Sequence, residues 1–364
     1  MARKAVVAMS GGVDSSVAAA LMVEAGFDVT GIMLKLWKGE AANNNSGCCN
    51  LDAASDARRV ADVLDIPFYV LNFAEHFEDT VIRNFHADYA AGRTPNPCVR
   101  CNQWVKFDAL LERAMVLGAD VLVTGHYARI RNEDGRYRLL RGVDAKKDQS
   151  YVLWMLSQEQ LARTILPIGE MEKTETRGIA ASLGLRTAAK PDSQEICFVR
   201  AGDTAAYVND NVPEASVGGA IRDTNGNVIG EHRGIGHYTV GQRKGLGVSL
   251  GRPVFVTSID AARNEIVVGD KGDLEIGGLA VSETSFVDGS PGDGTRLFVQ
   301  HRAHGEVNAA RVVSSRPGPL TVSFDDPVAA IAPGQSAVFY SYDEPDEVIG
   351  GGIIAATTPA AVAV

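Results

Sequence analysis

Residues 4–26 read KAVVAMSGGVDSSVAAALMVEAG, and this stretch decides how the first half of the chain folds. Lys4 to Met9 is a short apolar run of strand type. Ser15 to Glu24 is an Ala-rich helix, closed by Gly26 because glycine takes the left-handed cap at least cost. Between them lies Ser10-Gly11-Gly12-Val13-Asp14-Ser15-Ser16. Two adjacent glycines let backbone amides come close to an anion, and serine hydroxyls and the first amides of the helix aim further donors at the same point. The loop lacks the lysine of the Walker-type phosphate loop. Asp14 inside it suits magnesium travelling with phosphate groups. The competing reading is a glycine-rich turn with no ligand; seven fitting residues between a strand and a helix weigh against it.

Working outward, strand and helix patterns alternate as a parallel sheet with crossover helices requires. Asp28 to Leu36 reads as a strand, Leu51 to Leu64 as a helix ending before Pro67, and Phe68 to Leu71 as a strand. A helix near His76 to Ala90, a Pro- and Cys-rich loop, a helix from about Trp104 to Leu117 and a strand at Asp120 to Thr124 follow. The expected class is α/β, with ligands at the carboxyl ends of the strands. After about Phe198 glycine becomes frequent, and β-branched runs are separated by turn dipeptides such as Asn225-Gly226 and Asp288-Gly289. The expected layout is a nucleotide-binding catalytic domain over 1–204, a small mixed central domain over 205–276, and a C-terminal antiparallel β-barrel over 277–354. Strands of the barrel are expected at Leu297 to Gln300, Ala309 to Val313, Leu320 to Phe324 and Ser336 to Tyr340. Residues 355–364, small and repetitive, read as a flexible tail.

The chain has 364 residues, 45% hydrophobic and 22% charged, which is long for a single core. No run approaches the roughly 20 apolar residues that span a bilayer, and the start reads straight into a strand, so a cytoplasmic protein without a membrane partner is expected. A net charge of -10 argues against indiscriminate coating of nucleic acid. One stretch runs the other way: Arg129, Arg131, Arg136, Arg138, Arg141, Lys146 and Lys147 stand against Glu133, Asp134 and Asp144. It is a solvated hairpin or a local face for phosphates.

Five cysteines are an odd count and too few for a disulfide scaffold, which points to thiol chemistry or metal. Thr94-Pro95-Asn96-Pro97-Cys98-Val99-Arg100-Cys101-Asn102 puts two thiols on a proline-fixed loop before a helix, a place that favours thiolate, with Arg100 and Lys106 near enough in sequence to help. Cys197 stands in Asp192-Ser193-Gln194-Glu195-Ile196-Cys197-Phe198. Zinc or iron-sulfur ligation, a thioredoxin-like couple, sulfur transfer through a persulfide, and a purely structural role are the readings open to these thiols. Cys48 and Cys49 carry no spacing signal.

The Ser10 to Ser16 loop resembles the PP-loop of the ATP pyrophosphatase group (adenine nucleotide α-hydrolase-like), whose members cleave ATP between the α and β phosphates and pass AMP to a substrate oxygen. With Thr94 to Asn102, Gly125-His126-Tyr127, Lys147-Asp148-Gln149-Ser150-Tyr151, Ser193 to Phe198 and Gly241 to Gly247, the chain as a whole resembles the bacterial tRNA-specific 2-thiouridylases. The resemblance implies ATP-dependent 2-thiolation of the wobble uridine of tRNAs for Lys, Glu and Gln. It implies Cys101 as nucleophile, Cys197 as the persulfide carrier fed by a sulfur donor or relay, and Asp14 in the catalytic loop. Ala8, Met9, Ser10, Gly11, Gly12, Val13, Asp14, Ser15, Leu34 and Gly125 would hold ATP with Mg2+. Asn96, Pro97 and Cys98 would line the target base, and His126, Lys147, Asp148, Gln149, Arg302 and Gln335 would touch tRNA. Two departures stand out: many relatives have Asp where this chain has Cys98, and Arg302-Ala303-His304 lacks an aromatic and a second arginine. The extra thiol admits a [4Fe-4S] cluster on Cys98, Cys101 and Cys197 as the alternative sulfur carrier. A PP-loop ligase or amidotransferase acting on a small molecule would show ATP-pyrophosphate exchange without tRNA, and a non-catalytic RNA-binding module would make no AMP.

Overall fold

The computed structural model describes residues 2–37, 51–192, 196–199, 203–248, 250–315 and 318–360. Cys48, Cys49 and the Ser193 to Glu195 part of the Cys197 motif lie outside the described residues. The chain divides into two compact units. One comprises Met1–Val81, Cys98–Gly202 and Asp346–Ile349, and the other Ile82–Pro97, Asp203–Pro345 and Gly350–Val364. Among the described residues no helix is long and apolar enough to cross a membrane.

The first unit is built on five parallel strands, β1 (Lys4–Ala8), β2 (Asp28–Lys35), β3 (Phe68–Asn72), β4 (Val121–Val123) and β7 (Thr164–Ile165), in the order β3-β2-β1-β4-β7. The inner strands read as continuous apolar runs because both faces are covered: Ala5, Val6 and Val7 of β1 and all three residues of β4 are buried. Helix α1 (Val13–Glu24) presses Val17, Ala18 and Ala19 into the core beside Val7, Val123 and Ala57 of helix α2 (Leu51–Val63). Its end follows from Gly26 at φ +78, where the Gly26 amide donates to Val23 O and the Phe27 amide to Met22 O, the paired bonds of a Schellman cap.

The second cysteine-bearing helix departs from expectation. It begins at Pro97 and runs to Val116, about a turn and a half ahead of Trp104, with the winding loosened to π geometry over Cys101–Leu110. Proline suits the first helical position, where its missing N–H is no loss, so the Pro-Asn-Pro run opens the helix instead of delaying it. Strands β5 (Ala128–Glu133) and β6 (Arg136–Arg141) form a hairpin turned by Asp134 at φ 51 and Gly135 at φ 88. This is the basic stretch, and much of its charge is met within the fold: Arg129 by Glu170 and Asp346, Arg138 by Glu133 and Glu347, Arg141 by Asp148, and Lys147 by Asp192.

The second unit holds a four-stranded sheet of β8 (Gly219–Asp223), β9 (Val228–His232), β10 (Phe255–Asp260) and β11 (Glu265–Gly269), ordered β10-β11-β8-β9. It also holds a closed antiparallel barrel. Its strands are β12 (Glu275–Phe286), β13 (Arg296–Gln300), β14 (Asn308–Ser314), β15 (Leu320–Ala329), β16 (Ser336–Ser341) and β17 (Glu347–Pro359), closed by pairing of β12 with β17. The expected strands of the barrel are all present, and β12 and β17 complete the ring. The flexible tail expected from residue 355 does not begin there: β17 continues to Pro359, with Thr357 opposite Leu279 and Pro359 opposite Ile276. Ladder bonds are made by backbone, so small side chains do not prevent pairing. Residues 82–97, expected in the first domain, belong to the second unit, where His86 Nε2 lies 3.1 Å from the Tyr207 hydroxyl and the Thr94 amide donates to Pro333 O at 2.8 Å.

Candidate active site

The loop after β1 is held open from below. Gly11 has φ +70, and a Cβ there would overlap the carbonyl oxygen of Ala53 in α2, so only glycine fits. The Ser10 amide donates to Ser15 Oγ at 3.1 Å, and the hydroxyls of Ser15 and Ser16 donate to Gly12 O at 3.2 and 2.8 Å. Gly12, the residue before α1, has no side chain with which to cap the first amides, which leaves them as donors for an anion. Gly125, just past β4, packs on the same turn: a Cβ there would lie 2.7 Å from the Asp14 carbonyl carbon and the Ser15 amide nitrogen. Ala8 ends β1, Met9 is buried, and Leu34 is buried near the end of β2 opposite Leu71. The structure therefore brings Ser10 to Ser15 and Gly125 together at the carboxyl edge of the sheet.

Asp14 is not open to solvent ions. Lys173 Nζ donates to its two carboxylate oxygens at 2.7 and 2.8 Å, and the Tyr127 hydroxyl donates to Oδ1 at 3.0 Å. Burial pushes the Tyr127 hydroxyl well above the usual phenol range; its bond with Thr176 pulls the other way and the Asp14 carboxylate adds to the rise, so Tyr127 stays a donor. Lys173 also reaches Asp192 Oδ1 at 2.8 Å, and Asp192 accepts from Lys147 at 2.7 Å and Arg177 at 3.0 Å. Burial alone would raise the Asp192 carboxyl, but hydrogen bonds and charge from Lys147 and Lys173 outweigh it and hold it at about 2. Lys190 Nζ donates to Gly11 O and to Asp56, both at 2.9 Å. The lysine missing from the loop sequence is thus supplied by the fold. No spacing signal marks Lys173, which lies 159 residues from Asp14.

Cys98 is exposed on the first helical turn, while Cys101 and Cys197 are half-buried. Three residues apart on a helix, Cys98 and Cys101 share a side, and a helix N-terminus favours thiolate there. Arg100 is buried with its guanidinium 4.7 Å over the Trp104 ring and Nη1 donating to Gln103 at 3.1 Å. Lys106 bears on His126, whose imidazole is pushed well below its usual value by burial first and by that charge second. Asn102 is buried and donates to Val152 O at 3.0 Å, with its own Oδ1 unsatisfied. Phe198, next to Cys197, meets Phe77 edge to face at 5.7 Å.

The residues expected to touch tRNA have inward roles here. His126 is buried, with Nδ1 2.7 Å from Thr124 Oγ1. Asp148 accepts from Arg141, from the Gly142 amide and from Ser150, and Gln149 accepts from the Tyr127 amide at 3.0 Å. Gln335 donates to Thr94 O at 2.7 Å, tying the segment that bears half-buried Asn96 and buried Pro97 to the loop before β16. Arg302 is exposed.

Neither implied metal group fits these donors. Among the described residues no three His, Cys, Asp or Glu side chains converge as an ion requires, so Cys98, Cys101 and Cys197 do not form a cluster cradle. The expectation that Asp14 is a ready magnesium ligand is likewise not met, because an ammonium already occupies both of its oxygens.

Three family models match in register with this architecture: the "tRNA methyl transferase HUP domain" over residues 3–201, the "tRNA methyl transferase PRC-barrel domain" over 205–270 and the "Aminomethyltransferase beta-barrel domain" over 276–354. The chain is 49% identical over 354 residues to a protein of Moorella thermoacetica named tRNA-specific 2-thiouridylase MnmA, covering 96% of this chain and 98% of that one. The chain belongs to the tRNA-specific 2-thiouridylase family. Relatives of the same name from Natranaerobius thermophilus and Lachnoclostridium phytofermentans are 47% and 45% identical, each over 99% of its own length. Methyl transfer survives in the names of the domain models; the full-length relatives are named for thiolation.

Proposed function

We propose that this family member is a tRNA-uridine 2-sulfurtransferase that thiolates the wobble uridine of tRNA at the expense of ATP. The observation that carries this reading is the open turn of Ser10 to Ser15, with uncapped helix amides above Gly12 and two lysines from elsewhere in the chain beside it. The C2 oxygen of uracil is a poor leaving group. Transfer of AMP to it makes a phosphate ester that departs readily, and loop amides with Lys173 and Lys190 offset the charge on the leaving pyrophosphate. ATP enters as its magnesium salt, the ion held by phosphate oxygens.

Sulfur arrives from a persulfide donor onto Cys197. The terminal sulfur of the Cys197 persulfide attacks C2 and AMP leaves with the former C2 oxygen. The Cys101 thiolate then attacks Cys197 Sγ, breaking the bond to the transferred sulfur. That sulfur stays on C2 as the thiocarbonyl, reduced by two electrons, while Cys101 and Cys197 are oxidised to a disulfide that an external thiol must reduce. For this chemistry the target base must leave its stack, with Asn96, Pro97 and Cys98 around it. His126, Lys147, Asp148, Gln149, Arg302 and Gln335 are proposed to support the tRNA, the buried ones by shaping the surface from beneath. Surface ion pairs are weak, so arginines of the β5-β6 hairpin can exchange carboxylates for phosphates at little cost.

Mass analysis of tRNA nucleosides tests the reading. Incubation with ATP, a persulfide donor and tRNAs for Lys, Glu and Gln should yield 2-thiouridine derivatives at the wobble position. Pyrophosphate exchange without tRNA, together with full activity of Cys101→Ala, would instead indicate a small-molecule ligase.

A further inference from the structure

The segment that leads to Cys197 is fastened to the nucleotide loop at points that no motif marks. Lys190 holds the Gly11 carbonyl oxygen at 2.9 Å. Two residues on, the Asp192 carboxylate gathers three cations, Lys147 at 2.7 Å, Lys173 at 2.8 Å and Arg177 at 3.0 Å. Lys173 is shared, because the same ammonium lies 2.7 Å from Asp14 Oδ1 and its side chain is only 10% exposed. A single buried ammonium thus bridges the acid of the loop and an acid five residues ahead of Cys197.

Charge indicates what a nucleotide does to this bridge. Lys147, Lys173 and Arg177 face Asp14 and Asp192, three cations against two carboxylates, so one positive charge is in surplus beside a turn shaped for an anion. Phosphate oxygens on the loop amides compete for the nearest ammonium, which is Lys173, since charge-assisted bonds to phosphate are among the strongest available. Asp192 then keeps Lys147 and Arg177 only. Its hold is weakened and not abolished.

We propose that Asp192 is a positioning residue for Cys197 and that its hold is set by the nucleotide: Lys173 turns from Asp192 to the phosphates, and the Cys197 segment loosens in response. The inference rests on the loop being an ATP site. It also gives the reaction an order, because a Cys197 persulfide exposed before the base is activated would lose its sulfur to other thiols.

The test is alkylation of the reduced, full-length protein by iodoacetamide. The Cys197 peptide is quantified by mass spectrometry with and without saturating α,β-methylene-ATP, and binding of the analogue is followed by calorimetry on the same sample. The nucleotide should speed Cys197 alkylation about threefold, the scale of one weakened ion pair, while exposed Cys98 serves as the internal reference. Asp192→Asn should start at the faster rate and show no further response. Arg177→Gln, which touches Asp192 but not Asp14, should also raise the starting rate with nucleotide affinity unchanged. Binding of the analogue with no change at Cys197 in the wild type, or a full wild-type response in Asp192→Asn, overturns the inference alone. Absence of binding overturns the ATP-site reading and this one with it.

Discussion

Cys197→Ser should lower thiolation of tRNA by at least about 10³-fold, the order lost when a covalent nucleophile is removed, while tRNA-dependent release of pyrophosphate from ATP continues. A hydroxyl cannot carry sulfane sulfur, yet it takes no part in grasping the triphosphate. The partner variant Cys101→Ser separates two routes. With direct attack by the Cys197 persulfide it should trap protein joined to tRNA through the transferred sulfur, because nothing cleaves the last S–S bond. If Cys101 instead releases hydrosulfide before attack, no adduct forms. Gel separation of protein with bound labelled tRNA under non-reducing conditions, and its collapse on adding thiol, reads the difference. Normal thiolation by Cys197→Ser with a persulfide donor would remove the relay from the account.

Gly11→Ala should reduce the rate of AMP formation by about 10²-fold, since a displacement of about 1 Å in a positioning loop has that effect. Two costs act together. The residue sits at φ +70, where an L side chain costs about 1–2 kcal/mol, and its Cβ would overlap the backbone of Ala53, which α2 cannot yield without moving. Gly125→Ala is the informative companion. Its φ is not in the left-handed region, so its loss of rate would come only from the Cβ pressing on the Asp14 and Ser15 backbone at 2.7 Å. Single-turnover assays with pyrophosphate as the readout compare the two, and Gly11→Ala at wild-type rate would show that the turn does not hold phosphate.

The parts of this fold that local pattern determines were legible before any coordinates. The apolar runs of β1 and β2, the glycine stop at Gly26 and the separate barrel strands β13 to β16 depend on residues close in sequence, and they lie within a few positions of where periodicity puts them. The Pro97 helix was misread because proline marks both loops and first helical turns, and only the winding beyond it tells which. Residues 355–359 read as a tail because composition describes side chains, whereas their pairing with β12 is made by backbone. The basic hairpin was placed correctly, but the acids that offset it, Glu170, Asp192, Asp346 and Glu347, are remote in sequence. The same holds at the candidate site. Asp14 and Gly125 were named from motifs, while Lys173, Tyr127 and Asp192, which surround Asp14 in space, have meaning only once β1, β4 and the helix Lys173–Ser182 are packed together.

Transfer of an isotope tests the central claim most directly. If the Ser10 to Ser15 turn presents the α phosphate of ATP to the C2 oxygen of the target uridine, tRNA carrying 18O at that oxygen must yield AMP with one 18O in its phosphate for each thiouridine formed. Unlabelled AMP at full thiolation, with the heavy oxygen recovered in pyrophosphate or water, would contradict the account.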